Sequence, residues 1–86
     1  MTTRALHPDT VRDKLKAFIC GALLGRPDYP LEADEPLMSG GLIDSFCVTH
    51  IGVFIERQFH VYIADTELTV EGMDTLQQIV ARVLRG

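Results

Sequence analysis

Apolar residues recur at helical spacing in the first quarter of the chain. This stretch predicts a helix from about Thr10 to Leu24, with Thr10 and Asp13 as a capping box and Gly25 as the terminating residue. Cys20 is expected to fill space in the core beside the apolar face. The positions on that face are Val11, Leu15, Phe18, Ile19, Ala22 and Leu23.

Three further helices follow from the same kind of spacing. One is predicted to begin at Asp44 or Ser45 and to end near Phe59, with a core face made of Val48, Ile51, Ile55 and Phe59. A short helix from Thr69 to Met73 comes next. The last helix has Thr75 as its N-terminal cap and follows the i, i+3, i+4, i+7, i+8 pattern at Leu76, Ile79, Val80, Val83 and Leu84.

Residues 25–43 separate the first two helices and contain three prolines and three glycines. A loop of this length in a small domain is usually functional. Leu31, Leu37 and Leu42 are predicted to anchor it on the core. Because no stretch has the alternation of a strand, we predict an all-α fold, a four-helix bundle with a long loop between helices 1 and 2 and a short third helix.

Composition limits the class of protein. The chain has 86 residues, 47% of them hydrophobic, which is enough for one domain with one core but not for a cleft between lobes. No apolar run approaches the roughly 20 residues of a membrane span, and the first ten residues lack the apolar core of a signal peptide. Cys20 and Cys47 have no CxxC spacing and suit a reducing compartment. We therefore expect a soluble, cytoplasmic monomer.

Charge is distributed unevenly along the chain. The net charge is -4, but residues 27–74 contain ten acids and a single base, Arg57, for a net of -9, while the two ends together carry +5. Phosphate would be repelled by the acidic middle, which argues against a nucleic-acid partner. The acids favour a basic protein surface as the partner instead.

Ser45 stands at the predicted start of the second helix, behind Gly40, Gly41 and Asp44. A serine hydrolase is a poor interpretation, because there is no GxSxG elbow and His50 lies about 140° around the helix from Ser45. The simple structural alternative is that Ser45 caps its helix. A serine there also offers a place for an anion, because free amide groups and the helix dipole stabilise phosphate.

The segment GGLIDSF, residues 40–46, resembles the modification motif of acyl carrier proteins, in which a glycine, an apolar pair and an aspartate precede the serine that takes phosphopantetheine. The resemblance covers about residues 9–84 of a single carrier domain, 1–86. The first helix, the acidic loop, the ending ERQF of the second helix and the tail from residue 63 all fall where the family has them. This resemblance implies that the predicted four-helix bundle is of the acyl-carrier type.

By position, this resemblance implies that Ser45 is the attachment site and that Asp44 is recognised by a phosphopantetheinyl transferase. The cofactor would be phosphopantetheine from coenzyme A, and its thiol would be the working nucleophile. No catalytic residue is then expected in the chain itself, which would not be an enzyme. Family members also shelter short acyl chains between their helices. Candidates for such a lining, which are equally ordinary core residues, are Val48, Ile51, Ile55, Phe59, Ile63 and Leu68.

The outer face of the second helix is expected to be the docking surface for acyl- or aminoacyl-loading and processing enzymes. Phe46, His50, Val53 and Arg57 form one stripe beside Ser45. General fatty-acid carriers have acids in the corresponding stripe, so His50 and Arg57 predict a dedicated carrier for a specialised lipid or secondary-metabolite pathway. Attraction would then come from the acidic loop and from Asp44, Glu56, Glu67 and Glu71.

Several alternatives stay open. Peptidyl carriers place a glycine pair immediately before the residue that precedes serine, whereas LID follows Gly41 here, which favours a stand-alone acyl or D-alanyl carrier. The cargo is not defined by the sequence. A helical interaction module that is never modified is the rival from another class. Cys47 and His50 could be half of a zinc site, but no second pair exists at ligand spacing, so no metal is predicted.

Overall fold

The computed structural model describes residues 7–86, and every regular element in that range is helical. A π-helical turn, Ile19–Leu23, extends the first helix, and a 3-10 turn, Asp65–Glu67, precedes the third. The α-helices are α1 (Pro8–Phe18), α2 (Cys47–Phe59), α3 (Val70–Met73) and α4 (Leu76–Arg85). The prediction of an all-α fold is confirmed for these residues, as are the long loop and the short third helix.

The N-terminus of α1 differs from the prediction. The helix begins at Pro8, and His7 before it is extended, at φ -86° and ψ 130°. Proline suits the first helical position because its φ is already helical and it needs no hydrogen-bond acceptor, while its ring keeps the preceding residue out of the helical region. No side chain caps this end, so the predicted capping box of Thr10 and Asp13 is wrong.

A wide helical turn ends the first helix. The amide of Leu24 donates to the carbonyl of Ile19 at 2.8 Å, and that of Arg26 donates to Cys20 at 2.7 Å. Gly25 follows at φ +74°, a left-handed conformation that glycine adopts without strain. The end near Leu24 is confirmed. Ala22, predicted on the core face, is exposed because the wider turn shifts the register of the side chains.

One apolar core extends through α1, α2, α4 and the loops. Cys20, at 1% exposure, fills space in it as expected. Leu31 and Leu37 anchor the long loop as predicted, but Leu42 is only half-buried and Ile43 takes the buried position instead. The carbonyl of Leu37 accepts from the amides of both Leu42 and Ile43, at 2.9 and 3.1 Å, and this turn places Ile43 in the core.

Side chains cap both the third and the fourth helix, and the cap predicted at Thr75 is confirmed. Thr69 Oγ1 accepts from the amide of Gly72 at 3.1 Å, and Thr75 Oγ1 accepts from that of Gln78 at 3.1 Å. Gln78 accepts in turn from the Thr75 amide and completes a capping box. On α4, Leu76, Ile79 and Val83 are buried and Val80 is half-buried. Leu84, predicted on the same stripe, is 38% exposed, because the apolar stripe of α4 is wider than the face that packs against the core.

Candidate functional site

Ser45 lies in a tight turn immediately before α2. Its side chain and that of Asp44 are exposed. The amide of Cys47 donates to the Asp44 carbonyl at 2.9 Å, and the amide of Val48 donates to the Ser45 carbonyl at 3.3 Å. These i to i+3 hydrogen bonds close tighter turns than the i to i+4 bonds of an α-helix. The α-helix α2 therefore begins at Cys47, two or three residues after the predicted start.

Ser45 does not cap this helix. The N-cap position is taken by Phe46, at φ -65° and ψ -21°, and no side chain accepts from the first helical amides. Those amides are already bonded to carbonyl groups of the turn, including Thr49 to Phe46 at 3.2 Å. The capping alternative is therefore wrong, and within residues 7–86 no group forms a hydrogen bond with the Ser45 hydroxyl.

The backbone around Ser45 suits an anion. Within the described chain, the amides of Ser45 and Phe46 have no hydrogen-bond acceptor. They lie at the positive end of α2, a helix of 13 residues. Unpaired amide donors and the helix dipole together stabilise a phosphate group at such a position. The hydroxyl by itself is a weak nucleophile, because a serine needs an adjacent base to be activated.

Asp74 connects the segment before Ser45 to the start of α4. Its Oδ1 accepts from the amides of Met38 and Ser39 at 2.7 and 3.0 Å, and its Oδ2 accepts from the Ser39 hydroxyl. The Asp74 carbonyl accepts from the amide of Leu37 at 2.6 Å. We call Asp74 with residues 37–39 the Asp74 clamp. This clamp was not predicted from the sequence, because Ser39 and Asp74 are 35 residues apart and nothing local indicates their contact.

The clamp changes the pKa of its carboxyl group. Partial burial acts to raise the pKa of Asp74, but the bonds from the Ser39 hydroxyl and from the amides of Ser39, Met38 and Leu37 favour the charged form. The Leu37 amide contributes least, since its acceptor is the main-chain carbonyl and not the carboxylate, and the net effect is a pKa below the ordinary value for aspartate. The charged carboxylate is therefore the form that holds the loop.

The earlier part of the loop is attached by a separate set of contacts. The Tyr29 hydroxyl donates to Glu35, which raises the pKa of Tyr29, and the Cys20 thiol donates to the Tyr29 carbonyl at 3.7 Å. Burial raises the pKa of Cys20, which disfavours its reactive thiolate. Further along, the amide of Gln77 in α4 donates to the carbonyl of Ala33 at 2.9 Å. The whole loop is thus held against α4 and the end of α1.

The proposed docking stripe is exposed. Phe46 is 83% exposed and Val53 49%, and His50, Glu56 and Arg57 are exposed as well. A groove runs beside the stripe, with a floor formed by the stacked rings of Phe18 and Phe54, whose centroids are 4.2 Å apart. Phe18, predicted on the core face of the first helix, is only half-buried, and no surface role was predicted for Phe54. The groove is lined by Phe18, His50, Val53, Phe54, Arg57 and Gln58.

The candidates for an acyl lining are part of the packed core. Five are buried and the sixth, Leu68, is half-buried. Leu68 closes over Gly52, where the Cβ of any larger residue would come within 2.9 Å of Leu68 Cδ2. Any acyl chain would therefore have to displace Leu68 or its neighbours. The buried candidates are Val48, Ile51, Ile55, Phe59 and Ile63.

Two other features bear on the predictions. Within residues 7–86, no three His, Cys, Asp or Glu residues are close enough together to hold a metal ion. Cys47 is half-buried and His50 is exposed on the same helix. No helix in the described range is both long and apolar enough to cross a membrane.

Known proteins give no guide to this site. No family model, curated protein or solved structure matches the chain.

Proposed function

We propose that this protein is an acyl carrier protein and that Ser45 takes phosphopantetheine from coenzyme A. The observation that supports this most directly is that the Ser45 hydroxyl, directly after Asp44 at the N-terminus of α2, is exposed and does not cap the helix. A serine committed to a cap or to a core would be a poor substrate. Ser45 has neither role.

The chemistry requires a partner enzyme. A phosphopantetheinyl transferase would remove the Ser45 proton, the oxygen would attack the pantetheine-side phosphorus of coenzyme A, and the pyrophosphate bond would break to release adenosine bisphosphate. A phosphodiester would remain on Ser45. The unpaired amides of Ser45 and Phe46 and the dipole of α2 would stabilise its negative charge. When attached, phosphopantetheine supplies a thiol that holds the cargo as a thioester, and this chain presents it.

The order of elements also supports a carrier. The chain has one long helix, an anchored acidic loop, a helix behind the serine, a short helix and a last helix, and this is the order of elements that the resemblance to acyl carrier proteins implies. In this proposal α2 presents both the attachment site and the docking stripe. Residues beneath the stripe would shelter a short acyl chain only after a displacement of Leu68.

The docking stripe favours a dedicated pathway, of lipid or secondary-metabolite type. Apolar Phe46 and Val53 alternate with His50 and Arg57, and among the described residues Arg57 has no ion-pair partner. A partner that meets this face with apolar or acidic groups would bind faster and more selectively than one with a basic patch. The acids elsewhere on the surface would supply longer-range attraction.

Intact mass spectrometry tests the proposal. The protein is incubated with coenzyme A and a broad-specificity phosphopantetheinyl transferase, with a standard carrier as a positive control. The expected result is the addition of one phosphopantetheine group. An unchanged mass, when the control carrier is fully converted, would contradict the proposal and favour an unmodified helical interaction module.

A further inference from the structure

The Asp74 clamp has a rigid end. The amide of Asp74 donates to Gln78 Oε1 at 3.0 Å, which ties it to the capping box of α4. Met73 before it and Leu76 after it are each 1% exposed and belong to the core. Asp74 is therefore attached to α4 and to the core independently of its bonds to the loop.

The restraint that Asp74 imposes on the loop is passed along the backbone toward Ser45. Leu37, which is fully buried, donates its amide to the Asp74 carbonyl and receives the amides of Leu42 and Ile43 on its own carbonyl. The segment from residue 37 to residue 43 is thus a closed turn. Only Asp44 separates that turn from Ser45, and α2 begins two residues later.

The residues enclosed in this turn need such a restraint. Gly40 and Gly41 follow the clamped Ser39, and Gly41 is at φ +84°. Two successive glycines lose more conformational entropy on ordering than other residues do. Without the bonds to the Asp74 carboxylate, residues 38–41 would be restrained only by bonds within the turn, such as that from the Gly41 amide to the Met38 carbonyl at 3.1 Å, and would sample more conformations. The exposed Ser45 hydroxyl would then be presented correctly for a smaller fraction of the time.

We propose that Asp74 is a positioning residue for Ser45, which it holds through the turn of residues 37–43 in the orientation that a modifying transferase accepts. This inference rests on the proposed function. Because the carrier is the substrate of the transferase, a smaller competent fraction raises its KM in inverse proportion and leaves kcat unchanged.

Steady-state modification with coenzyme A and a broad-specificity phosphopantetheinyl transferase tests the proposal, at a temperature well below unfolding. We expect Asp74→Ala to raise the KM for the carrier roughly tenfold, with kcat within about twofold of wild type. Asp74→Asn should recover most of the loss, because its Oδ1 still accepts from both amides and its amide group can donate to the Ser39 hydroxyl. If Asp74→Ala does not fold, Asp74→Ser takes its place.

A matched control separates positioning from stability. Ile79→Val removes one buried methylene from α4 and destabilises the fold without touching the clamp. It should leave the KM unchanged. The positioning role is overturned if Asp74→Ala has the KM of wild type, if Ile79→Val raises the KM equally, or if Asp74→Asn is no better than alanine.

Amide hydrogen exchange provides a second readout that does not depend on modification. In Asp74→Ala, exchange should accelerate at Met38 and Ser39, which lose their acceptor, and also at Leu42 and Ile43, while α4 amides keep their protection. Unchanged exchange at Leu42 and Ile43 would contradict the transmission of the restraint toward Ser45. If wild type is never modified, the proposed function fails, and exchange alone decides whether Asp74 orders the turn before Ser45.

Discussion

Ser39 and Ser45 lie in the same loop and differ in what the fold does with them. Both are exposed and both have glycine or aspartate as neighbours. The Ser39 hydroxyl donates to Asp74, and its amide donates to the same carboxylate at 3.0 Å. Ser45 has no hydrogen-bond partner for its side chain within residues 7–86. One serine is built into the structure and the other is left available.

This difference shows how a small fold presents a single hydroxyl. Exposure alone does not distinguish the two serines, but hydrogen bonding of the hydroxyl does. A hydroxyl that already donates to a carboxylate must break that bond before it can react. The free serine also lies at the positive end of α2, whereas Ser39 is held against a negative charge. A phosphodiester is favoured at the first position and repelled at the second.

The largest expected effect comes from exchanging each serine for alanine. Ser45→Ala should abolish addition of phosphopantetheine, because the attacking oxygen is gone. Ser39→Ala should still be fully modified, with a KM raised less than about threefold, because the two amide bonds to Asp74 remain. Intact mass after incubation with coenzyme A and transferase measures both. Modification of Ser45→Ala, or complete loss in a folded Ser39→Ala, would reverse the roles of the two serines.

The next effect concerns the stability that the Asp74 clamp provides. Asp74→Ala removes the acceptor of three bonds and should lower the free energy of unfolding by about 1–3 kcal/mol. Denaturant unfolding, monitored by circular dichroism, measures the loss. Asp65→Ala, which removes an exposed carboxylate with no hydrogen bond in the described structure, is the matched control and should change stability by less than about 0.5 kcal/mol. Equal losses in the two variants would mean that the clamp does not stabilise the fold.

The lowered pKa of the Asp74 carboxylate makes the stability of the fold depend on pH. The pKa of Asp74 is lowered in the folded state, so its contribution is complete above the ordinary aspartate pKa of about 3.9 and is lost as pH falls through the lower folded value. Wild type should therefore lose stability below about pH 4 more steeply than Asp74→Asn, which cannot titrate at this position. Unfolding curves collected between neutral and acidic pH test this. Equal losses of stability in wild type and Asp74→Asn as pH falls would show that Asp74 is not the group responsible.

Much of the scaffold around the two serines could be predicted from sequence, because it depends on local signals. The cap at Thr75 and the buried positions Leu76, Ile79 and Val83 of α4 follow from residues within one or two turns of each other. The start of α1 is predicted wrongly, because Pro8, another local signal, outweighs the apparent capping box. The hydrogen bond of Ser39 could not be predicted, because its partner Asp74 lies 35 residues further along the chain and is brought near only by packing.

A smaller effect is expected at the proposed docking stripe beside Ser45. His50→Glu combined with Arg57→Glu should raise acyl transfer from a general fatty-acid enzyme by roughly tenfold, because acids would then face its basic patch. The assay compares this variant with wild type on the phosphopantetheine-bearing proteins. A double substitution on another exposed face, Gln77→Glu with Arg85→Glu, is the matched control. No gain, or wild type already equal to a general carrier, would show that the stripe does not select partners.

The smallest effect concerns the acids of residues 27–74, the segment that contains both serines. Residues 27–74 carry a net charge of -9, so their mutual repulsion should weaken as salt shortens the Debye length to about 8 Å at physiological ionic strength. We expect the melting temperature to rise by about 2–4 °C between low and moderate salt, which corresponds to roughly 0.5 kcal/mol. Thermal melts in sodium chloride measure this. Coincident melts, or a decrease, would contradict the repulsion.

The most direct test of the central claim locates the modification in the wild-type protein. After incubation with coenzyme A and a phosphopantetheinyl transferase, the protein is digested, and fragmentation mass spectrometry identifies the residue that carries the added group. The account predicts one phosphopantetheine, on Ser45, with Ser39 and Thr49 unmodified. No addition while a standard carrier is fully converted, or addition at any residue other than Ser45, would contradict it.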